Sequence, residues 1–396
     1  MTGSCFCSAR RVLRAMCVPF VVALWLSSLF SCIREPELHL YNAGNVTIEL
    51  PMVDLELEAY WNYEMSYGVH YDWRAEWFYG WDETDSLIFG PIGYEEPNVF
   101  NLRRYLLGNR KGVPHTRVAS DLVRGKTFRG DYDFGFWDIL VWNDIKTIDG
   151  VQSLNFDETT SLDSVTAYTN MTMRSARYQA PRYTRSFYEP EALFSAYETD
   201  IEINRNLDGF IYDPERNVYV KKLDMLLEPV TYIYLTQVIL HNNRNRVIGV
   251  DGAADLSGLS RTVNLNTGIA GLTPITVYYN VRMKKECVKN GEKVDIVGGK
   301  MLTFGICGQN GNRIKDVSEV KDGSQHYLDV TLQFNNGTDS TFVFDVTDQV
   351  RQRYKGGVLT VELDMDTVPI PNRKGGSAFD AVVKDFEDGG TYEFPM

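Results

Sequence analysis

Positive charge is in the minority in this chain, and this excludes one large class of partner. The 396 residues include 40 Lys and Arg against 53 Asp and Glu, a net charge of −13. Nucleic-acid-binding proteins need a cationic surface that displaces the counterions of phosphate, so no nucleic-acid partner is expected. With 44% hydrophobic and 23% charged residues, the composition also excludes bulk disorder and a multi-span membrane protein.

Recognisable catalytic motifs are missing as well. The sequence has no G-x-S-x-G, no H-E-x-x-H, no phosphate-binding loop and no G-x-G-x-x-G. Its five His are scattered without metal-ligand spacing. We therefore expect no catalytic residue, no metal site and no cofactor. The acidic clusters at residues 82–85 and 131–133 have the residue types of glycosidase carboxylates or Ca²⁺ ligands, but solvated turns at strand ends are the simpler interpretation.

Cysteine is scarce beyond the N-terminal segment. Three of the six Cys precede residue 20, one ends an apolar run at position 32, and only Cys287 and Cys307 follow. That number excludes a disulfide scaffold. A hairpin turning within residues 290–299 would place Cys287 opposite about residue 301. Two separately buried thiols are therefore favoured over a Cys287–Cys307 bridge, which an oxidising compartment still permits.

The chain does have a targeting segment at its start. Three Arg lie within residues 10–14, and Ala15 to Phe30 is a nearly unbroken apolar run of 16 residues. A membrane-spanning helix needs about 20 residues, so the run has the length of a signal-peptide core. A plain secretory signal cut elsewhere, or a short anchor helix, stays open as an alternative.

The end of this run resembles a bacterial lipobox, because it reads Leu29-Phe30-Ser31-Cys32. In proteins with such a signal, the Cys is acylated with palmitate-type chains and becomes the new N-terminus. Residues 1–31 are therefore predicted to be a lipoprotein signal peptide, Cys32 the lipidation site, and residues 32–37 a lipidated tether. Three acyl chains bury many CH₂ groups at about 0.8 kcal/mol each, which holds such a product on a membrane.

Processing at this site also changes the charge. Removal of the signal peptide takes away three of the 40 basic residues and none of the 53 acidic ones, so the net charge changes from −13 to −16. An acidic exterior suits a body that a tether holds away from anionic lipid, and it does not suit a body lying flat on the bilayer.

Alternation with period two dominates the rest of the sequence and predicts a mainly β fold. Residues 71–81 carry aromatic side chains at the odd positions, and residues 53–59, 275–283 and 359–365 alternate in a similar way. Residues 231–240 are apolar at both parities, as expected of a central strand that is covered on two faces.

A hairpin is predicted over residues 328–346. The apolar residues occupy even positions on both sides of Asn335-Asn336-Gly337, and a three-residue loop pairs even positions with even positions. That loop also places Gly337 where a positive φ is required. A two-residue Asn-Gly loop would split the apolar rows between the two faces.

Helices are expected to be few and short. Residues 98–107 end before a Gly, residues 190–197 open with a Pro, and residues 348–354 end before two Gly, so each is predicted as a short helix. Short helices among many strands favour sheet-on-sheet packing over a parallel α/β fold.

A turn-rich stretch at residues 206–217 is the predicted domain boundary. All Trp residues after the signal peptide lie before it, between Trp61 and Trp142. The sequence therefore predicts an N-terminal β-sandwich domain at residues 38–210 and a C-terminal β-sandwich domain at residues 218–396.

Trp73, Trp77 and Trp81 are the candidate contact residues for a ligand or partner. On a strand, their side chains would share one face at about 7 Å spacing, where they could stack on the sugar rings of a glycan. The alternative is that this face is the core of an aromatic-rich sandwich, because so large an exposed stripe is a liability. Trp137 and Trp142 differ in parity, so one of them is expected to be exposed.

Several segments together resemble one known family. They are Trp77-Phe78-Tyr79-Gly80-Trp81-Asp82, Val99-Phe100-Asn101-Leu102-Arg103-Arg104-Tyr105, Phe136-Trp137-Asp138-Ile139-Leu140-Val141-Trp142-Asn143, Leu154-Asn155-Phe156-Asp157-Glu158 and Asp345-Val346-Thr347-Asp348-Gln349-Val350. With the lipobox, they resemble an uncharacterised group of Bacteroidota surface lipoproteins related to fimbrillin-associated anchor and tip proteins.

This resemblance implies a fold, a location and a kind of partner. The implied fold is two tandem transthyretin-like β-sandwich domains with a few short helices, and the implied location is the cell outer membrane, lipid-anchored and surface-exposed. Relatives add an extended strand of one subunit to a sheet edge of another, so fimbrial subunits are implied as partners by strand addition. The resemblance transfers no catalytic or ligand residue.

Two function classes follow from these observations. The first is a non-enzymatic surface lipoprotein that anchors or accompanies a fimbria-like assembly. The alternative is a surface lipoprotein that binds a glycan or a protein through its Trp-rich N-terminal domain. A hydrolase is disfavoured, because no catalytic set converges in the sequence.

Overall fold

The computed structural model describes residues 53–56, 73–107, 116–130, 132–145, 153–161, 164–175, 185–204, 206–215, 218–223, 225–308 and 323–371. β-Strands dominate these residues and only short helices accompany them, so the predicted mainly β fold is confirmed. No helix in these ranges is long and apolar enough to cross a bilayer.

The strands, numbered in chain order, are β1 Val53–Glu56, β2 Val99–Leu106, β3 Thr116–Arg124, β4 Thr127–Gly130, β5 Gly135–Asn143, β6 Leu154–Ser161, β7 Ser164–Thr169, β8 Met171–Ser175, β9 Arg185–Tyr188, β10 Phe194–Ile203, β11 Ile211–Asp213, β12 Val218–Val220, β13 Glu228–Pro229, β14 Tyr232–His241, β15 Val247–Ser260, β16 Thr262–Asn264, β17 Pro274–Asn280, β18 Arg282–Lys289, β19 Glu292–Thr303, β20 Tyr327–Phe334, β21 Asp339–Asp345 and β22 Gly357–Asp364. The helices are α1 Trp73–Glu76, α2 Glu83–Phe89 and α3 Thr347–Gln352.

A five-stranded sheet, in the order β13-β10-β5-β2-β3, organises the N-terminal half. Its strand β5 is covered on both faces. Trp137 packs on one face with Phe100, and Trp142 packs on the other with Val165 of the three-stranded sheet β16-β7-β6. Each of the two Trp residues is 2% exposed. The prediction that one of them is exposed is wrong, because parity selects the face of a sheet and both faces are buried here.

Two further sheets face each other in the C-terminal half. They have the orders β18-β19-β14-β22 and β21-β20-β15-β17-β9-β8, and side chains such as Tyr234, Leu256 and Leu328 form one apolar core between them. Strand β14 pairs with β19 antiparallel and with β22 parallel and is buried along nearly its whole length. The predicted central strand and the predicted sheet-on-sheet packing are therefore confirmed.

Strand pairing also crosses the boundary predicted at residues 206–217. Strands β8 and β9 join the six-stranded sheet, where β9 runs parallel to β17. In addition, β16 pairs with β7, and β13 pairs with β10. The two ranges 38–210 and 218–396 thus contribute strands to common sheets, and their division into two domains stays a prediction.

The hairpin predicted at residues 328–346 forms in the predicted register. Leu328 lies opposite Phe344, and Val330 opposite Phe342. The N–H of Phe334 donates to the carbonyl of Thr338 at 2.8 Å, which closes the three-residue loop. Its last residue is Gly337, with φ 77°, as the loop type requires.

The described part of the strand predicted at residues 71–81, residues 73–81, does not form a strand. Helix α1 and an irregular segment occupy most of this stretch, and Gly80 has φ 75°. The backbone N–H groups of Phe78 and Tyr79 donate to the side chain of Gln237, not to a neighbouring strand. The pattern was misleading because aromatic rings that dock on a finished sheet are buried without being part of a strand.

Two of the three predicted helices are also wrong. Residues 98–107 contain β2, which pairs with β3 and with β5, and residues 190–197 lead into β10, which pairs with β5. Gly and Pro at the ends suggested helices, but pairing within the sheet satisfies the backbone on both sides of β2. The helix predicted at residues 348–354 is confirmed as α3.

Cys287 and Cys307 are both thiols, the first half-buried and the second buried. Cys287 lies opposite Val294 and not opposite residue 301. The counting was wrong because the hairpin turns earlier, at Asn290-Gly291, where both residues have positive φ as expected for an Asn-Gly turn.

Candidate functional site

Trp73, Trp77 and Trp81 lie on α1 and on the loop after it, in the stretch of residues 73–81 that we name the Trp segment. Trp77 is 5% exposed, and its ring packs 5.2 Å from the ring of Tyr79. Trp73 and Trp81 are half-buried. The predicted strand spacing of the three rings is therefore wrong, and Trp77 belongs to the core. Ligand contact by these residues stays a prediction.

The side chain of Gln237, on β14, fixes the Trp segment to the four-stranded sheet. Its Oε1 accepts from the N–H groups of Phe78 at 2.9 Å and Tyr79 at 3.3 Å. Its Nε2 donates to the carbonyl of Glu76 at 2.6 Å and to Thr360 Oγ1 at 2.9 Å. Because Gln237 is fully buried, loss of the amide would leave buried polar groups unsatisfied.

Asp85 is a buried carboxylate that joins α2 to β18. It is 0% exposed and forms ion pairs with Arg282, at 3.3 Å, and with Lys284. It also accepts a hydrogen bond from the hydroxyl of Tyr79 at 3.2 Å. Burial and the negative charge of Asp85 raise the pKa of Tyr79, so this hydroxyl stays protonated and donates.

The acidic residues at 82–85 start a helix. Asp82 is the N-cap of α2 and accepts from the N–H of Asp85 at 2.8 Å, while Asp85 accepts from the N–H of Asp82 at 3.0 Å. A hydrogen bond from Lys284, followed by the backbone bond, lowers the pKa of Asp82 to about 2. The spacing of these two acids is a capping-box signal, and it could have predicted α2.

The described ranges contain no cluster of metal-ligating side chains. No group of three or more His, Cys, Asp and Glu side chains there could hold a metal ion. His241 pairs with Glu362 at 3.0 Å, and the buried His326 lies 3.1 Å from the carbonyl of Ser257. The other three His, at positions 39, 70 and 115, and the first acid of the 131–133 cluster lie outside the described residues.

Sheet edges are the sites where a partner strand can add, and β22 is an edge that the protein itself covers. The side-chain amide of Gln349, on α3, donates to the carbonyl of Thr360 at 2.8 Å and accepts from its N–H at 2.9 Å. One side chain thereby makes the two hydrogen bonds that a neighbouring strand would make at Thr360.

Strand β18, at the other edge of the same sheet, is protected by its shape and charge. The pairing register shifts between Lys284 and Cys287, and Glu286 within this bulge has φ 55°. Lys285 and Lys289 add positive charge along the strand. Bulges and lysines are devices that discourage edge-to-edge pairing.

The edge of β21 has a regular backbone that faces away from the sheet. The hydrogen bonds from Phe334 to Thr338 and from Val346 to His326 show that even-numbered residues of β21 face β20. Odd-numbered residues therefore direct their N–H and C=O groups outwards. Among the described residues, the outward backbone groups of Thr341 and Val343 have no hydrogen-bond partner. We name this feature the β21 edge.

Two other edges are less suited to pairing. Strand β8 is short, and its register shifts between Met171 and Ser175. Strand β3 is longer and carries the 60% exposed Leu122, but its pairing to β2 shifts between Arg104 and Tyr105. The β21 edge is paired to β20 without such a shift over its full length.

An exposed aromatic pair lies on the two-stranded ribbon of β11 and β12. Tyr212 and Tyr219 are directly opposite each other, with ring centroids 5.2 Å apart, and they are 46% and 36% exposed. Next to them, Lys221 Nζ lies 5.6 Å from the ring centre of Phe210 and donates to the carbonyl of Glu202 at 3.2 Å. Much of this ribbon lies in the stretch at residues 206–217 that was predicted to be a domain boundary.

Comparison with solved structures finds adhesin and fimbrial proteins, the group that the sequence resembles. A protein described as a candidate adhesin, from Bacteroides ovatus ATCC 8483, has a TM-score of 0.44 and 15% identity over 81% of this chain and 95% of its own. The fimbrial anchor protein Mfa2 from Porphyromonas gingivalis has a TM-score of 0.36 and 10% identity over 79% and 90%. The C-terminally truncated tip fimbrial protein Mfa3 from the same organism has a TM-score of 0.27 and 9% identity over 64% and 76%. No family model and no curated protein matches the chain.

Proposed function

We propose that this protein is a non-enzymatic surface lipoprotein of the outer membrane that anchors or accompanies a fimbria-like assembly. The lipobox-like sequence that ends at Cys32 supports the anchor, and the acidic body supports a position away from anionic lipid. The observation that carries the assembly role is the β21 edge, to which an extended segment of another subunit can add by β-augmentation.

The energetics favour this edge over β22. Thr341 and Val343 together offer two donors and two acceptors, and each new backbone hydrogen bond contributes about 0.5–1.5 kcal/mol net. At Thr360 of β22, a partner strand would first have to displace the amide of Gln349. The ends of β21 carry Asp339 and Asp345, which limit the length of the added strand.

The lipid anchor is tested by changing Cys32→Ala in cells that process lipoproteins. We expect the variant to lose its place in the membrane fraction, because an acyl-free chain has only a short apolar run to hold it. The matched control is Cys17→Ala, which changes a thiol inside the predicted signal peptide and should leave membrane retention intact. Unchanged retention of the Cys32 variant would contradict the anchor.

The partner role is tested by changing Val343→Pro. Proline removes the outward N–H but leaves the pairing with β20 in place, so the fold should persist while a partner strand loses a hydrogen bond and meets the ring. We expect partner subunits that co-purify from intact cells with the unaltered protein to be lost. Leu122→Pro on β3 is the control for an outward-facing proline at another edge, and equal loss with both variants would contradict the assignment.

The alternative, a glycan site on the Trp segment, keeps support only from Trp73 and Trp81. Both rings are half-buried, so part of each ring face is left for stacking, whereas the indole Nε1 of Trp81 is buried and out of reach of a ligand. A glycan array with Trp73→Ala and Trp81→Ala decides this alternative. Absent binding, or binding that neither change weakens, would exclude it.

A further inference from the structure

We propose that the ribbon of β11 and β12 binds an acidic sugar unit of a polysaccharide. The binding surface, here named the ribbon face, consists of Phe210, Tyr212, Tyr219 and Lys221. It lies on strands other than β21, so this inference neither needs the fimbrial role nor is tested by the same experiment.

The register of the ribbon places these four side chains on one face. Tyr212 pairs with Tyr219, and the same antiparallel count places Phe210 opposite Lys221, in agreement with the contact of the ammonium with the Phe210 ring. Side chains two residues apart on a strand share a face about 7 Å apart. The face therefore has one row with two phenol rings and a second row with a phenyl ring and an ammonium group.

The tyrosine rings are prepared for stacking on a sugar. They contact each other at 5.2 Å with an interplanar angle of 51°, so each ring restrains the other before a ligand arrives, and little side-chain entropy is lost on binding. The C–H face of a pyranose packs on an aromatic face, while the phenol hydroxyl of Tyr219 can hydrogen-bond to a sugar hydroxyl.

The dimensions of the ribbon favour a small ligand over a protein. Strands β11 and β12 have three residues each, whereas a stable protein interface buries about 800 Å² on each partner. One or two sugar rings match the length of the two rows. The other exposed apolar side chain of the ribbon, Ile211 at 73% exposure, alternates to the opposite face and does not enlarge the site.

The positive charge of Lys221 favours an acidic sugar as the ligand. The chain as a whole carries a net charge of −13, so an anionic ligand needs a local cation to approach it. Lys221 provides that cation beside the rings. One of its three N–H donors is engaged by the carbonyl of Glu202 at 3.2 Å, and the remaining donors can reach a carboxylate on a sugar stacked over the tyrosines.

The inference is tested with trigalacturonate and its methyl ester, which present the same ring faces with and without charge, and with 3′-sialyllactose as a second acidic probe. Binding to the purified mature protein is measured by titration calorimetry. We expect binding of at least one acidic probe, with Tyr212→Ala and Tyr219→Ala each weakening it about fivefold or more. Ile211→Ala, on the opposite face of the same ribbon, should leave the affinity unchanged.

Lys221→Met separates charge from stacking. We expect it to weaken binding of the acidic probe about threefold, as for a solvent-exposed ion pair, and to leave binding of the methyl ester unchanged. No binding of either acidic probe at millimolar concentration would overturn the inference. So would equal weakening by the Ile211 variant, or loss of a co-purifying protein in the tyrosine variants without any glycan binding, which would assign the face to a protein partner.

Discussion

At the scale of single residues, the buried carboxylate of Asp85 makes the charged contacts that join the Trp segment and α2 to β18. Its carboxylate compensates two cations and orients the hydroxyl of Tyr79. We expect Asp85→Asn to lower the free energy of unfolding by about 3 kcal/mol, because Arg282 and Lys284 would remain close together without their shared partner. Denaturant titration measures this change.

The control for Asp85→Asn is an ion pair that is exposed to solvent on the protein surface. Glu286 and Lys293 lie 3.3 Å apart, with 75% of each side chain exposed, so Glu286→Gln should change the free energy of unfolding by less than about 0.5 kcal/mol. If the two substitutions lowered the free energy of unfolding equally, the buried ion pairs of Asp85 would contribute no more to stability than a solvent-exposed ion pair.

Gly298 shows how close the Trp segment lies to the sheet. A Cβ built on this residue would stand 2.6 Å from Cδ2 of Tyr79, so Gly298→Ala should displace the ring and lower the free energy of unfolding by about 1–3 kcal/mol. Gly323, with nothing within 4 Å of an added Cβ, is the matched control. Thermal unfolding of both Ala variants decides whether the docking is as tight as the distance indicates.

Glu189 makes stability depend on pH. Burial raises its pKa from 4.5 to about 7, although its carboxylate accepts from the N–H of Leu302 at 3.1 Å. The folded protein therefore holds this proton more tightly than the unfolded chain does. The stability that the group contributes is complete below about pH 4.5 and is lost as the pH rises to about 7.

The variant Glu189→Gln removes this titration and keeps an acceptor for Leu302. We expect the unfolding free energy of the unaltered protein to fall, relative to the variant, by about 2 kcal/mol between pH 4.5 and 7. Parallel curves for the two proteins would contradict the assignment. Lys300 acts in a separate pH window. Burial lowers its pKa from 10.5 to about 8, so the folded protein holds this proton less tightly than the unfolded chain does, and the free energy of unfolding rises only as the pH increases above about 8.

At the scale of elements, α3 is the cover of an edge strand. We expect Gln349→Ala to expose the N–H of Thr360, which should then exchange its hydrogen at least about fivefold faster, since a net bond of about 1 kcal/mol is lost. Gln352→Ala, at an exposed position of the same helix, should leave exchange at Thr360 unchanged. Equal exchange rates in all three proteins would show that the amide does not protect this edge.

The elements that the sequence predicted correctly are those whose pattern and turn chemistry agree. In the hairpin of β20 and β21, the apolar parity and Gly337 specify the same register, and the structure has it. In residues 71–81, Gly80 interrupts the alternation, and residues 73–81 instead dock on the sheet through long-range contacts with Gln237. Contacts between residues so distant in the chain leave no local pattern, so they could not be predicted.

The candidate sites, too, could be predicted from the sequence only in part. Strand addition at an edge was predicted from the resemblance, but the sequence could not say which edge, because the covering of β22 by Gln349 depends on how α3 packs. The Asp82–Asp85 spacing could have identified α2 in advance. The pairing of Tyr212 with Tyr219 follows only once the ribbon register is known.

At the scale of the whole molecule, the proposed function depends on three features: a lipid at Cys32, an acidic body and one regular strand edge. If acyl chains and not surface charge hold the protein on the membrane, as proposed, salt should have little effect on its retention. A wash of isolated membranes with 1 M salt, where the screening length is about 3 Å, should leave the unaltered protein bound. Release by salt alone would indicate an electrostatic attachment.

The most direct test of the central claim is site-specific photo-crosslinking in intact cells. A photoreactive phenylalanine analogue is placed at Val343, on the β21 edge, and in separate strains at Leu122 on β3 and at Thr360 beneath Gln349. The account predicts a cross-link from position 343 to an extended segment of another surface subunit, and none from position 360. Cross-links from position 122 or 360 without one from position 343 would contradict it.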